Sequence, residues 1–290
     1  MKNWVLATRP KTLPAAIVPV WAACVLVAQL GAKIDWPLAW ATVLGAIFIQ
    51  IATNLFNDAI DDAKGADTEK RLGPRRVTAS GLLSRRSVYA GGVIFLLLAL
   101  VCGWLLFQAR GWLILAIGVP SFYFAYGYSG GPWPLAYKGL GEIFVILFFG
   151  LVAVMGTVFV QLGEWRAEAG LLGLQIGLLS AVLIAINNYR DVEEDRLSHK
   201  KTVVVRFGKP FARVMIRVLI FLPYLLILLG VSLDFYASWW FLLACLFPLP
   251  WAIGIVRGLK NERGFNRLLA LSALHLILFT AAFHLAVWLG

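Results

Sequence analysis

The sequence predicts an all-α, polytopic membrane protein with about nine transmembrane helices in a single domain, residues 1–290. Composition is the first reason: 61% of residues are hydrophobic and 14% are charged, where a soluble domain carries about 25% charged residues. The mean hydropathy of +0.82 makes lipid the folding solvent. Segmentation is the second. A spanning helix needs roughly 20 mostly apolar residues, and nine stretches approach that length: 13–31, 37–58, 88–107, 111–128, 140–162, 170–188, 212–232, 237–257 and 268–289. Placement of basic residues is the third. With the amino terminus in the cytoplasm, all 26 Lys and Arg except Lys33, Arg110 and Arg166 fall on the cytoplasmic side, the asymmetry that orients membrane proteins.

The stretches can be taken in order. The first follows the basic segment Met1–Lys11 and runs past Leu30 without a small-residue cleavage site, so it reads as a span and not a cleaved signal. The second ends in Asn54, Asn57 and Asp58. Only Gln108–Gly111 separates the third from the fourth, which demands a tight turn there. The fourth ends in Phe122, Tyr123, Phe124, Tyr126 and Tyr128, mostly an interfacial aromatic belt; Tyr126 or Tyr128 is also a candidate to face a site. The turn Ser129–Pro134 and the run Tyr137-Lys-Gly-Leu-Gly141-Glu142 open the fifth. The sixth ends in Asn187, Asn188, Arg190 and Asp191. Pro14, Pro19, Pro120, Pro223, Pro248 and Pro250 fall within spans, which neighbouring helices can tolerate. Cys24, Cys102 and Cys245 all lie in apolar runs, without disulfide or metal-ligand spacing. His275 and His284 read as packed or interfacial.

Two clusters carry the chemistry. Asn54, Asp58 and Asp62 repeat as Asn187, Asp191 and Asp195, each pair 133 positions apart. Asn57 and Asp61 complete the first cluster. Carboxylates at a membrane boundary are costly unless they bind something. Basic residues trail each cluster: Lys64, Arg71, Arg75 and Arg76 after the first, Lys200, Lys201 and Arg206 after the second. The net charge of +11 therefore sits in loops beside acids, which argues against nucleic acid as a partner. An all-oxygen donor set suits Mg²⁺, which takes one or two carboxylates together with substrate phosphates, and is poor for zinc. Metal and cations together can neutralise a diphosphate so that a C–O bond to it ionises. A membrane setting points to a polyprenyl diphosphate as donor, with an electron-rich aromatic acceptor. Glu142 either complements the start of its helix or accepts the proton.

These residues resemble a known family. Asn54-Leu-Phe-Asn57-Asp58-Ala-Ile-Asp61, with Lys64-Gly65-Ala-Asp67 and Arg71-Leu-Gly-Pro74, is similar to the first motif of the UbiA superfamily of intramembrane prenyltransferases, in its 1,4-dihydroxy-2-naphthoate branch. Asn187-Asn-Tyr-Arg190-Asp191-Val-Glu-Glu-Asp195, followed by Lys200 and Val203–Gly208, resembles the second motif. Arg9–Pro14 and Gly130–Glu142 add to the likeness, which covers roughly residues 8–210. Ala59 stands where the branch usually has tyrosine, and His199 where it usually has glycine. The resemblance implies nine helices around a central cavity, Mg²⁺-dependent ionisation of the diphosphate, and replacement of the ring carboxylate with loss of carbon dioxide. It implies Asn57, Asp58, Asp61, Asp191 and Asp195 as metal ligands, with Lys64, Arg71 and Lys200 on the diphosphate. Asn54, Asp67, Tyr126, Asn187, Arg190 and Lys201 are the further substrate-binding candidates. Asp58, Asp61, Asp191, Asp195 and Glu142 are the catalytic candidates. The expected location is a bacterial cytoplasmic membrane.

Other readings are a homogentisate or 4-hydroxybenzoate transferase, a transporter and a CDP-alcohol phosphotransferase. A transporter would place its charges near mid-span, and here the acids sit at span ends. The Asp-Gly…Ala-Arg pattern of the phosphotransferases is missing.

Overall fold

The computed structural model describes residues 2–65, 73, 76–236, 240–260 and 264–290, with Leu243, Ala244 and Cys245 described by backbone alone. Two expected substrate contacts, Asp67 and Arg71, lie outside the described residues, as does Arg75. Every α-helix can be named in order: α1 Lys2–Thr8, α2 Pro14–Gln29, α3 Trp36–Ala63, α4 Arg85–Arg110 and α5 Leu113–Gly127, then α6 Gly141–Leu162, α7 Ala167–Arg190, α8 Val192–Leu197, α9 Val203–Ser232, α10 Trp240–Leu246, α11 Leu249–Lys260 and α12 Phe265–Leu289. Six of them, α3, α4, α6, α7, α9 and α12, are long and apolar enough to cross a bilayer singly. Lys2–Thr12 and Pro14–Gln29 pass the same test only when taken together as one broken helix.

The remaining expected spans differ for local reasons. α5 has 15 residues. The stretch expected at 237–257 is broken between α10 and α11 around Pro248, which has no N–H to give a helix. α9 begins at Val203, nine positions before its expected start, and turns sharply at Gly208 (φ 80°, ψ 167°). Sharp ends are coded locally. Ser84 caps α4 by accepting the Ser87 N–H at 3.1 Å. Gly111, at φ 69°, closes α4 in the short turn that the sequence demanded.

The chain forms two compact units, each built from separate segments. The first holds residues up to Leu13, Ala41–Gly141 and Asn187–Ala212. Its core packs Ala7, Ile51, Leu55, Ala59, Val77 and Val88. Ile51, Leu55 and Ala59 recur every four residues along one face of α3. Asn57 and Asp61 point to the opposite face, since two residues turn a helix by about 200°. Ala59 is 2% exposed, so the departure from tyrosine places a small residue in a packed core. α4 turns Ile94, Leu97, Leu100, Val101 and Trp104 outward. Exposed apolar surface on that scale has lipid as its solvent, and the protein is a multi-pass membrane protein.

The second unit holds Pro14–Trp40, Glu142–Ile186 and Arg213–Gly290. Leu26, Val158, Ile176, Leu179, Tyr236, Phe279 and Phe283 form its core. A buried polar chain runs through it: the Tyr236 hydroxyl donates to Gln175 at 2.6 Å, and Gln175 donates to the Pro223 carbonyl at 3.0 Å. α6 carries a π-helical segment, Ile146–Val152, where Gly150 meets Gly173 and Gly177 of α7. A Cβ on Gly177 would stand 2.6 Å from the Ile146 carbonyl oxygen and 3.0 Å from the Gly150 Cα. Backbone cannot retreat as a side chain can. Gly177→Ala is expected to lower the melting temperature in detergent, by about 1–3 kcal/mol of overpacking. Gly103→Ala, with nothing within 4 Å of the new methyl, should leave melting unchanged or raise it.

Candidate active site

The two sequence motifs meet within the first unit. Lys200, from the second motif, donates to Asp61 Oδ2, from the first, at 3.0 Å. Asp61 is 1% exposed. It also accepts the Tyr137 hydroxyl on Oδ1 at 3.0 Å, and Arg76 stands 3.8 Å from Oδ2. A carboxylate so buried, at the end of a spanning helix, persists because three cationic or hydroxyl donors surround it. Lys64 donates to the Ser129 carbonyl at 2.8 Å and lies 4.1 Å from the centre of the Tyr137 ring. Burial pushes its ammonium below the usual lysine range, Asp61 opposes that, and Lys200 adds to it.

Neighbouring positions on α3 serve other ends. Asp58 does not join this cluster. Its Oδ2 accepts the Val77 N–H at 3.3 Å, and its Oδ1 accepts the Thr78 N–H at 3.4 Å together with the Thr78 hydroxyl. The expected metal ligand is a loop anchor here. The reason is rotational: Asp58 sits one residue before the core position Ala59, so it faces the returning loop. That loop brings Arg76 back to Asn57 Oδ1 at 3.4 Å. Asn54, expected at the substrate, gives its amide hydrogens to the Thr8 carbonyl at 2.9 Å and the Thr12 hydroxyl at 3.0 Å. It ties down the amino-terminal segment instead. Asp62 pairs with Arg85 at 2.8 Å on the surface.

In the second motif the helical ladder runs on through a bend. The Asp191 N–H donates to the Asn187 carbonyl at 3.0 Å and the Asp195 N–H to the Asp191 carbonyl at 2.8 Å. Asp191 itself departs from helical geometry (φ −93°, ψ 14°), so Asp195 belongs to the short helix α8 and not to α7. Arg190 forks onto Asp191, with contacts of 2.6 and 2.7 Å, so this expected substrate contact is a buried partner of a carboxylate. Asp195 is 8% exposed. Burial raises its carboxyl to about 7; Lys200 works against that rise, while Asp191 and Asp61 add to it. Asn187 is half-buried and the Lys201 side chain is exposed. Tyr126 stacks edge-on in a trio with Phe56 and Tyr89, at 5.8 and 6.4 Å. Glu142, 4% exposed, lies in the first turn of α6, in the second unit.

The donor set suits Mg²⁺ in chemistry more than in spacing. Asp195 Oδ2 is buried and has no hydrogen-bond donor, and burial outweighs Lys200 in raising its carboxyl. Asn57, Asp61, Asp191 and Asp195 offer oxygen only. The residues fit a hard cation by chemistry. By distance, among the described residues, no three acidic, His or Cys groups yet clasp one point. Lys200 and Arg76 stand against Asp61, and Arg190 against Asp191.

Two loop features hold the motifs together. Gly139 has φ 68°, and a Cβ there would sit 2.4 Å from the Lys201 carbonyl oxygen. Beside it the Lys201 N–H donates to the Tyr137 carbonyl at 3.0 Å. His199, just before Lys200, is left-handed at φ 57°. A side chain at positive φ costs roughly 1–2 kcal/mol. His199→Gly is expected to stabilise the protein by about 1 kcal/mol in thermal melting. Sequence reasoning gave no role to Tyr137 or Thr78, and did not carry Arg76 into the site. For Tyr137 the available signal was an aromatic beside lysine in a short glycine-rich loop.

The chain is similar to known proteins along most of its length. The UbiA prenyltransferase family matches residues 16–274. A 1,4-dihydroxy-2-naphthoate octaprenyltransferase of Mycobacterium leprae is 36% identical over 219 residues, covering 75% of this chain and 74% of that protein. The protein of the same name from Bacillus subtilis is 30% identical over 272 residues, covering 92% and 85%. Among solved structures, a UbiA homolog from Archaeoglobus fulgidus bound to GPP and Mg²⁺ superposes with a TM-score of 0.64 at 14% identity, covering 99% of both chains. The matched region takes in both motifs and the loop between them that carries Tyr137, and the chain belongs to the UbiA prenyltransferase family.

Proposed function

We propose that this protein transfers a polyprenyl group from an allylic polyprenyl diphosphate to 1,4-dihydroxy-2-naphthoate, releasing diphosphate and carbon dioxide and giving demethylmenaquinol, the reduced form of demethylmenaquinone. The observation that carries the reading is the Lys200–Asp61 contact at 3.0 Å, which unites two motifs 133 positions apart into one site of mixed charge. The names of the bacterial relatives support the acceptor. The Archaeoglobus homolog bound to a prenyl diphosphate and Mg²⁺ supports the metal and the donor class.

In this reading Asn57, Asp61, Asp191 and Asp195 hold Mg²⁺, which when bound neutralises charge on the leaving diphosphate. Lys64, Lys200 and Arg76 surround the same position and supply cations to the phosphate oxygens. Asp58 and Thr78 hold the loop that presents Arg76. Glu142 is the candidate acceptor for the ring hydroxyl proton. The site faces the cytoplasm and the amino terminus lies on that side, in a bacterial cytoplasmic membrane; the distribution of Lys and Arg supports this orientation.

The chemistry has a direct test. Attack at the carboxylated ring carbon gives an intermediate that regains aromaticity by losing the carboxylate. Acceptor labelled at the carboxyl carbon should therefore release labelled carbon dioxide in step with diphosphate. Prenylated product that kept the label would exclude replacement at that carbon. Turnover only with homogentisate or 4-hydroxybenzoate would move the acceptor and leave the diphosphate site as described.

A further inference from the structure

We infer that Tyr137 is a positioning residue of the diphosphate site, its hydroxyl aiming Asp61 and its ring face holding the ammonium groups of Lys64 and Lys200. This rests on the reading of the site as a Mg²⁺ and diphosphate site.

Two segments converge on this residue, the end of α3 and the second-motif loop. The hydroxyl donates to Asp61 Oδ1, at the end of α3, at 3.0 Å. The Lys64 ammonium lies 4.1 Å from the ring centre and that of Lys200 5.1 Å. Its carbonyl accepts the Lys201 N–H at 3.0 Å, fixing the backbone of the second-motif loop to that of the Tyr137 loop. Gly139 makes that approach possible, because a Cβ there would collide with the Lys201 carbonyl.

The arrangement answers a physical difficulty. Lys64 and Lys200 carry like charges, and repulsion drives them apart unless something between them is negative. Asp61 supplies that charge only while its oxygens are available. A carboxylate oxygen given over to a metal cation no longer holds Lys200 by charge. The electron-rich ring face keeps its attraction for both ammonium groups in that condition. Lys64 has a second fixed partner, the Ser129 carbonyl at 2.8 Å, so the ring and that carbonyl set its place between them. Tyr137 thus has two separable duties. The hydroxyl bears on the metal through Asp61, and the ring bears on the phosphate through the lysines.

The test uses purified full-length protein in detergent, with inorganic diphosphate and Mg²⁺ as probes and calorimetric binding as readout. Tyr137→Phe keeps the ring and loses the hydroxyl. It should weaken Mg²⁺ binding about tenfold, the worth of a hydrogen bond to a charged group. Diphosphate affinity at saturating Mg²⁺ should stay within about twofold. Tyr137→Leu loses both, and diphosphate affinity at saturating Mg²⁺ should fall by about tenfold or more, as two cation–π contacts predict. Lys64→Met should reduce the further effect of Tyr137→Leu, because the ring would have one ammonium fewer to hold. Tyr137→Phe preserves side-chain volume, so its split between the two affinities decides the matter even if the leucine variant folds poorly. Equal loss of diphosphate affinity in Tyr137→Phe and Tyr137→Leu, or no loss in either, would overturn the inference while the site assignment stood. A wild-type protein that bound no diphosphate with Mg²⁺ would overturn both.

Discussion

Replacing Asp61 with Asn is expected to cut prenyl transfer by about a thousandfold or more, the scale for losing a group that stabilises charge developing on a leaving group. Asp61 is the point where the motifs touch, with Lys200, Tyr137 and Arg76 all directed at its two oxygens. An amide keeps the shape but removes the charge, and leaves Lys200 without its counter-ion. The contrast with Asp58→Asn is the sharper part. Asp58 lies three residues away and is equally buried, yet its oxygens anchor Val77 and Thr78. Its loss should lower transfer about ten- to hundredfold, as for a residue that orients others. It should also lower the melting temperature, because buried N–H groups lose their acceptor. Steady-state turnover and thermal melting of both variants in detergent check this. Equal loss of turnover in the two would return Asp58 to the set of metal ligands.

Removal of divalent metal should abolish turnover, and Mg²⁺ should restore it. The reason lies in the charge of the site. Lys64, Lys200 and Arg76 face four groups offered as ligands, and Asp195 cannot hold its charge comfortably when buried. The lysines and arginine alone offset carboxylates before any phosphate arrives, so neutralising a diphosphate as well needs further positive charge. Excess EDTA should bring transfer to background, with Mg²⁺ restoring it and Zn²⁺ failing to. Full activity in EDTA would remove the metal from the account.

Much of the fold was legible because lipid imposes simple rules. Apolar length marked the spans, and positions 85–110, 141–162 and 265–289 fall within a few residues of where hydropathy put them. Legibility failed where backbone geometry, and not hydropathy, decides. The break between α10 and α11 and the turn at Gly208 are invisible to an apolar count. The motifs were legible as a repeat, and helical spacing already put Asn57 and Asp61 on one face. The division of labour between Asp58 and Asp61 was not. It depends on which face of α3 meets the returning loop, and the core positions Leu55 and Ala59 settle that only once the packing is known. Tyr137 escaped for a related reason. Its role arises from two loops that share no sequence pattern and meet through Gly139 and Lys201.

The central claim is that two motifs form one metal–diphosphate site, and Mn²⁺ can report on it directly. With Mn²⁺ in place of Mg²⁺ and inorganic diphosphate bound, electron–nuclear double resonance should show ³¹P coupling to protein-bound Mn²⁺ in the wild type. Asp61→Asn alone and Asp195→Asn alone should each lose that coupled signal, because each motif supplies part of a shared site. Should either variant keep a full ³¹P-coupled Mn²⁺ signal from its intact motif, the motifs would bind independently, and the single-site account would be contradicted.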